Sequence, residues 1–448
     1  MVLAEFALSG YGEASRSPSP INRMMAAFDA DFRPEKDINL GVGYVNERTI
    51  PSELLVEALQ AVLAQPAKYK RPFNYGSARG SPNLIESIKR FYVEHSIGGL
   101  TQEILDRNEV VIGPNGATSL LEGIAHVLRP GIVITTDPMY YIYCNYLERQ
   151  GFEVITVPED DAGIRTDLLH AKLARLGTRK REIAFFYFVT INNPTSTILA
   201  NDRRAELVQL VADLSVEVGR KIPIFFDTAY EHLVHDPTVP PLESGLLYDS
   251  QGLVYELGTV SKILAPALRI GYLLGPDSSL LRALIQHTSD VGFSAPLITQ
   301  EIASYLLDHH VQDQIARVNQ GYREKAEAVK RWLDRYLGEF FTGCSGGRAG
   351  FYYYLTLDRV ETTEASHFFK YLARTTGDEA IDGPEADRNP RVLYVPGEHC
   401  VHPRGDLVEL GRRQLRLSYG FEELDRLRQA ILVMREAAEY VRAATARQ

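Results

Sequence analysis

From about residue 105 the chain alternates short, unbroken apolar runs with helical stretches, and this alternation limits the available folds more than any other feature. The runs are residues 109–112 (EVVI), 132–135 (IVIT), 153–157 (EVITV), 183–189 (IAFFYFV), 222–226 (IPIFF), 252–257 (GLVYEL) and 270–274 (IGYLL). Apolar runs without polar alternation are what strands buried on both faces require. The stretches between them, such as 119–128, 141–150 and 203–218, read as helices. Strands alternating with helices predict an α/β fold: a seven-stranded, mostly parallel sheet flanked by helices, with right-handed crossovers.

The flanks read differently. Residues 1–37 form an arm with a Ser/Pro-rich stretch (SRSPSP) and a short helix at 21–30; a short strand and turn (INLGVGY) follows, then a helix at 51–63. Beyond the alternating region come an amphipathic helix at 311–337, strands at 350–357, 392–395 and 415–419, a polar loop at 375–389, and a last helix at 422–443. A chain of 448 residues is long enough for two domains. The expected division is 1–50 as arm and part of a small domain, 51–320 as the large domain, and 321–448 as the rest of a smaller α+β domain built from both termini.

Composition excludes several classes. The net charge is −10 with no long basic run, so no nucleic acid partner is expected. Three cysteines, far apart and odd in number, argue against a disulfide framework and a zinc knuckle; no metal is expected, and a reducing, cytoplasmic setting is. The N-terminus lacks the basic-then-apolar order of a secretory signal, and no apolar run approaches the roughly 18 residues of a membrane span.

Four segments place polar groups at the C-terminal ends of expected parallel strands, the edge where open α/β sheets bind ligands. They are NGATSLL (115–121), NNPTS (192–196), IPIFFDTAY (222–230) and GTVSKILAPALRIGY (258–272). A helix start suits a phosphate. A buried lysine suits an imine. An aspartate ending an apolar strand suits a cationic ring nitrogen. One ligand asks for all of these together: pyridoxal 5′-phosphate (PLP), with its phosphate, aldehyde, pyridine nitrogen and phenolic oxygen.

Over roughly residues 38–420 these segments resemble the aspartate-aminotransferase superfamily, fold type I of the PLP enzymes (class I/II aminotransferases). S-K-x-L-x-P-x-x-R-x-G-Y is the most specific string; NNPTS resembles that family's N-P-T-G and DTAY its D-x-x-Y. The resemblance implies that Lys262 holds the cofactor as a Schiff base and then moves the proton, that Asp227 pairs with the ring nitrogen, and that Tyr230 and Asn193 bond the ring's 3-oxygen. It implies a phosphate site of Arg269, Thr259, Ser261, Gly116, Ala117 and Thr118, and a ring stacked on Tyr140. Arg416, in LRLSYG, matches the residue that binds the substrate α-carboxylate, with Gly43 and Asn193 close to that group. Tyr75, in NYGSARG, matches a tyrosine that reaches the neighbouring subunit's phosphate, with Ser294 a second candidate for that role; this implies a homodimer with shared active sites. Two positions depart from the pattern: Ser196 stands where glycine is usual in N-P-T-G, and Ala267 stands where glycine is usual before Leu268. If Ser294 aligns, Asp290 falls where dicarboxylate-specific members carry an arginine, which predicts a neutral or cationic substrate side chain.

The expected activity is transfer of an α-amino group from an amino acid to a 2-oxo acid in two half-reactions. A lyase, decarboxylase or oxidase using the same cofactor, and a regulatory or non-catalytic PLP-binding protein, are the alternatives. The aromatic run 351–354, His232 and the three cysteines read as packing residues.

Overall fold

The computed structural model describes residues 6–445. Its strands in chain order are β1 (Ile38–Asn39), β2 (Asn108–Ile112), β3 (Ile132–Asp137), β4 (Glu153–Asp160), β5 (Gly163–Ile164), β6 (Ile183–Val189), β7 (Ile224–Asp227), β8 (Val254–Thr259), β9 (Gly271–Pro276), β10 (Phe341–Gly346), β11 (Tyr352–Leu357), β12 (Val392–Leu393), β13 (Val395–Pro396) and β14 (Gln414–Ser418).

The seven apolar runs all become strands of one sheet, in the order β2-β9-β8-β7-β6-β3-β4-β5. The sheet has eight strands rather than seven, because the chain folds back after β4 and adds the two-residue β5. Pairing is parallel from β8 through β4, and antiparallel where β9 joins β8 and β2. β6 is buried on both faces along nearly its whole length, as its uninterrupted IAFFYFV requires. Crossover helices Gly116–Val127, Tyr141–Arg149, Thr166–Leu176 and Asn201–Val218 carry the chain back between strands. After β3 the chain steps outward to β4, and then returns across β3 to β6. The order therefore reverses between β3 and β6, and their C-terminal ends open a crevice.

A second, antiparallel sheet has the order β10-β11-β14-β13. The run 392–395 is not one strand: β12 pairs with β1 from the N-terminal region, while β13 pairs with β14. Both ends of the chain thus build this smaller unit. Helices Val311–Trp332 and Leu424–Thr445 pack against each other there. The polar stretch 375–389 includes the one-turn helix Glu379–Asp382 rather than loop throughout. Helices Pro82–Glu94, Ser279–Gly292, Leu297–His309 and His367–Ala373, with several shorter ones and strands β5 and β10, add to the elements expected. The first carries its own signal, Ser81-Pro82 at the start and buried Leu84, Ile88 and Phe91 on one face. Among the described residues, no helix is long and apolar enough to cross a membrane.

Candidate active site

The crevice holds two adjoining cavities. The inner one, of about 160 Å³, is lined by Thr118, Tyr140, Asn193, Asp227, Tyr230, Thr259, Ser261, Lys262 and Arg269, with Ala117 beside them. The outer one, of about 340 Å³, shares Tyr140, Asn193, Tyr230 and Lys262 and adds Gly43, Tyr352 and Arg416. Groups at the C-terminal ends of β2, β3, β6, β7 and β8 meet here because those strands run the same way and end on one edge, and Gly43, Tyr352 and Arg416 join them from outside that sheet.

Lys262 follows β8 directly. Its Nζ donates to the Gly43 carbonyl (3.0 Å) and lies 5.5 Å from the centre of the Tyr230 ring. Burial, helped by the positive field of Arg416, lowers its pKa to about 8 although Asp227 opposes the shift. A lysine so placed is partly neutral near pH 7 and can act as a nucleophile.

Asp227 ends β7, buried. Burial raises its pKa, and two donors oppose that: Tyr187 Oη on Oδ2 (2.7 Å) and the Ala229 N–H on Oδ1 (3.1 Å). Tyr187 is fully buried inside β6 and hides within an apolar run, so the sequence gives no sign of this role. Parallel pairing sets Val189 beside Asp227, which leaves Tyr187 diagonal to it on the same face. Tyr187→Phe removes one hydrogen bond to a charged acceptor, an interaction worth about 1.5–3 kcal/mol. The expected results are cofactor binding weaker by about tenfold, measured by titrating cofactor-free protein, and a lower Tm.

Two arginines frame the cavities, and neither has a carboxylate partner among the described residues. Arg269, in the left-handed region (φ 54°), donates from Nε to Asn115 Oδ1 (2.8 Å), from Nη2 to the Asn115 carbonyl (3.0 Å) and from Nη1 to the Pro266 carbonyl (3.2 Å). It lies beside the start of helix Gly116–Val127. A Cβ on Gly116 would sit 2.9 Å from Arg269 Nη2, so glycine lets the guanidinium and the helix start converge. A guanidinium and a helix N-terminus at one spot both call for an anion.

Arg416, on β14, is 2% exposed. Its Nη1 donates to Asn193 Oδ1 (2.7 Å), its Nη2 donates to the Gly41 carbonyl, and its Nε has no partner. An uncompensated buried charge is costly, and a carboxylate from a ligand would relieve it. The residues therefore fit PLP: an amine for its aldehyde, a carboxylate for its ring nitrogen, a cationic cradle for its phosphate, and a further cation for a substrate carboxylate.

Thr259 and Ser261 line the inner cavity, with their hydroxyls 2.9 Å apart. Thr259 Oγ1 also lies 2.7 Å from the Ile270 carbonyl and accepts the Ser261 N–H (3.1 Å), so it shapes the loop while the Ser261 hydroxyl faces the cavity. Tyr352, read from sequence as small-domain core, does more: its Oη is 3.0 Å from Tyr230 Oη and its ring packs 4.5 Å from the Arg416 guanidinium. Ser196 occupies the left-handed region (φ 53°) that glycine favours, which accounts for the usual glycine at that position. Tyr75 is not part of its own chain's cavities: it is 77% exposed and rests against Phe293 at 5.3 Å between centroids. Asp290 also lies outside them, on an exposed helix face, accepting from Gln286 Nε2 (2.8 Å).

A family model described as aminotransferase class I and II matches residues 35–377. The chain is 25% identical over 408 residues to the uncharacterized HTH-type transcriptional regulator YisV of Bacillus subtilis (strain 168), covering 90% of this chain and 74% of that one. It is 25% identical over 317 residues to aromatic-amino-acid aminotransferase 1 of Thermococcus litoralis, covering 69% of this chain and 72% of the relative. Its fold matches the crystal structure of a multiple substrate aminotransferase from Thermococcus profundus with a TM-score of 0.82 at 21% identity, covering 98% of both chains. The chain belongs to the class I and II aminotransferases and is a PLP-dependent enzyme.

Proposed function

We propose that this crevice exchanges an amino group between an amino acid and a 2-oxo acid, with Lys262 as the residue that carries the cofactor and moves the proton. The observation that carries this reading is the pairing of one tuned amine with two arginines that lack anionic partners. Those arginines ask for a ligand pair with a phosphate at one end and a carboxylate at the other. When bound, the cofactor supplies the aldehyde that accepts the amino group and the ring that withdraws electrons.

The chain's own residues do the rest. Arg416 and the Asn193 amide orient the substrate carboxylate. Asp227, kept in place by Tyr187, balances a proton on the ring nitrogen. Tyr140 would stack on the cofactor ring, and Tyr230 and Asn193, which line the same cavity, would hydrogen-bond its 3-oxygen. Arg269, Ser261 and the Gly116–Thr118 turn anchor the phosphate, while Thr259 supports that loop.

The lowered pKa of Lys262 has a measurable consequence. Only the neutral amine attacks an aldehyde, so reconstitution of cofactor-free protein should quicken as pH rises through about 8 and level off above it. At pH 7 the rate should be about a tenth of the plateau, one unit below the midpoint. Arg416→Met removes a charge that lowers this pKa, so its midpoint should move upward.

Titrating the purified holoenzyme with single amino acids tests the activity. Loss of the cofactor's visible band, restored by a 2-oxo acid with one new amino acid per acceptor, supports transamination. Ammonia release without an acceptor points to a lyase or oxidase. Cofactor binding with no change on adding any amino acid points to the regulatory role named for the Bacillus relative.

We also propose a homodimer. Tyr75, Phe73, Val291 and Phe293 are exposed large apolar side chains, and the Gly76 N–H donates to Ser294 Oγ (3.0 Å), joining the two segments that carry them. A second copy covering this patch would bring Tyr75 to the neighbouring site. The three free cysteines support a reducing, cytoplasmic setting.

A further inference from the structure

The outer cavity extends past Arg416 toward the N-terminal helix Pro20–Asp29, and its walls change character on the way. Ile21, Met25, Val42 and Ile142 line it with aliphatic surface, and the ring of Tyr44 stands at its mouth. Ile142 and Tyr44 are 48% and 63% exposed, apolar surface left open to solvent at the rim of a ligand cleft. Among the described residues, Lys262 and Arg416 are the only cationic side chains lining it, and the site described above already uses both.

The far end of the wall carries Asn22 and Asp29, both exposed. Asp29 is the last residue of its helix, where the macrodipole disfavours a negative charge, and it has no ion-pair partner among the described residues. Local structure gives no reason for a carboxylate there.

We infer that this cleft selects amino acids with an aromatic or long apolar side chain, and that Asp29 turns away acidic ones. The assignment rests on the aminotransferase reading above. An apolar side chain lies along the aliphatic wall and displaces water from it. A side-chain carboxylate meets that same wall, finds no cation, and faces Asp29. Specificity then comes from repulsion as well as fit. Asn22 supplies a neutral polar group that a hydroxyl or amino substituent on an aromatic ring can bond.

The test is the half-reaction of the holoenzyme with phenylalanine, tyrosine, leucine, glutamate and aspartate, followed by the cofactor's visible band. Phenylalanine or tyrosine should exceed glutamate in kcat/KM by about 100-fold. Asp29→Asn should raise kcat/KM for glutamate about tenfold, mostly through a lower KM, because it removes a like charge without touching the reacting atoms. Asp29→Lys should narrow the gap further. Asp29 is exposed and badly placed for its helix, so both variants should fold. Glutamate reacting within about threefold of phenylalanine, or a preference unchanged by both substitutions, overturns the assignment while leaving the aminotransferase reading intact. If no amino acid changes the band, both fall together.

Discussion

Lys262→Ala is expected to leave a folded protein that transfers amino groups at least about 10⁴-fold more slowly, the upper range for a lost general acid and base. The structural cost is small. The side chain makes one hydrogen bond, to the Gly43 carbonyl, a net contribution of about 1 kcal/mol, and removing a desolvated amine offsets part of it. Lys262→Arg should be equally inactive. It keeps a positive charge near Tyr230, but a guanidinium does not deprotonate and cannot serve as nucleophile or base. Together the two variants separate chemistry from charge. Borohydride reduction followed by peptide mapping should find cofactor on Lys262 in the parent protein and none in either variant. A label on a different lysine, or alanine-variant activity above one part in a hundred of the parent's, would refute the role (roughly 3 kcal/mol short of the expected loss).

Asp227→Asn should move activity and stability in opposite directions. The amide keeps the shape: its oxygen can still accept the Ala229 N–H and its NH2 can donate to the Tyr187 hydroxyl, but it cannot balance a protonated ring nitrogen. The expected loss in kcat is about 10²–10³-fold, the size seen when a preorganised electrostatic partner is removed. In cofactor-free protein the sign reverses. Burial raises the Asp227 carboxyl's folded pKa above its unfolded value. The native state therefore holds the proton to higher pH than the unfolded chain does, and stability declines as pH rises between the two values. Asparagine has no such proton to lose, so at neutral pH the cofactor-free variant should melt higher than the parent. Calorimetry of both proteins with and without cofactor checks this, and the ranking should invert or shrink when cofactor is added. A variant less stable than the parent in both states would show that Asp227 is chiefly a structural residue.

The lining of the inner cavity was legible in sequence because its residues sit at strand ends in short strings. Once 254–259 is a strand, the lysine after it must emerge at the C-terminal edge, and Arg269 seven residues later returns to the same edge before β9. The substrate wall was not legible in this way. Tyr187 looks like any other residue of IAFFYFV, and its hydroxyl gains a purpose only when β6 and β7 pair with Val189 beside Asp227. Tyr352 looked like core and is core, yet it also carries the hydroxyl that meets Tyr230 and the ring beneath Arg416. Asp290 stays outside the cleft on an exposed helix face, whereas Asp29, on a different helix, is the carboxylate that lines it.

By itself the sequence determined the parallel sheet, the edge that binds the ligand, and the residues that suit PLP, because unbroken apolar runs and strand-end motifs act through neighbours in the chain. Only the tertiary structure decided which buried hydroxyl holds Asp227, which arginines lack anions, and which helix walls the outer cleft. Those features depend on strand order and register across hundreds of residues, and no local pattern encodes the distance between segments that meet only after folding.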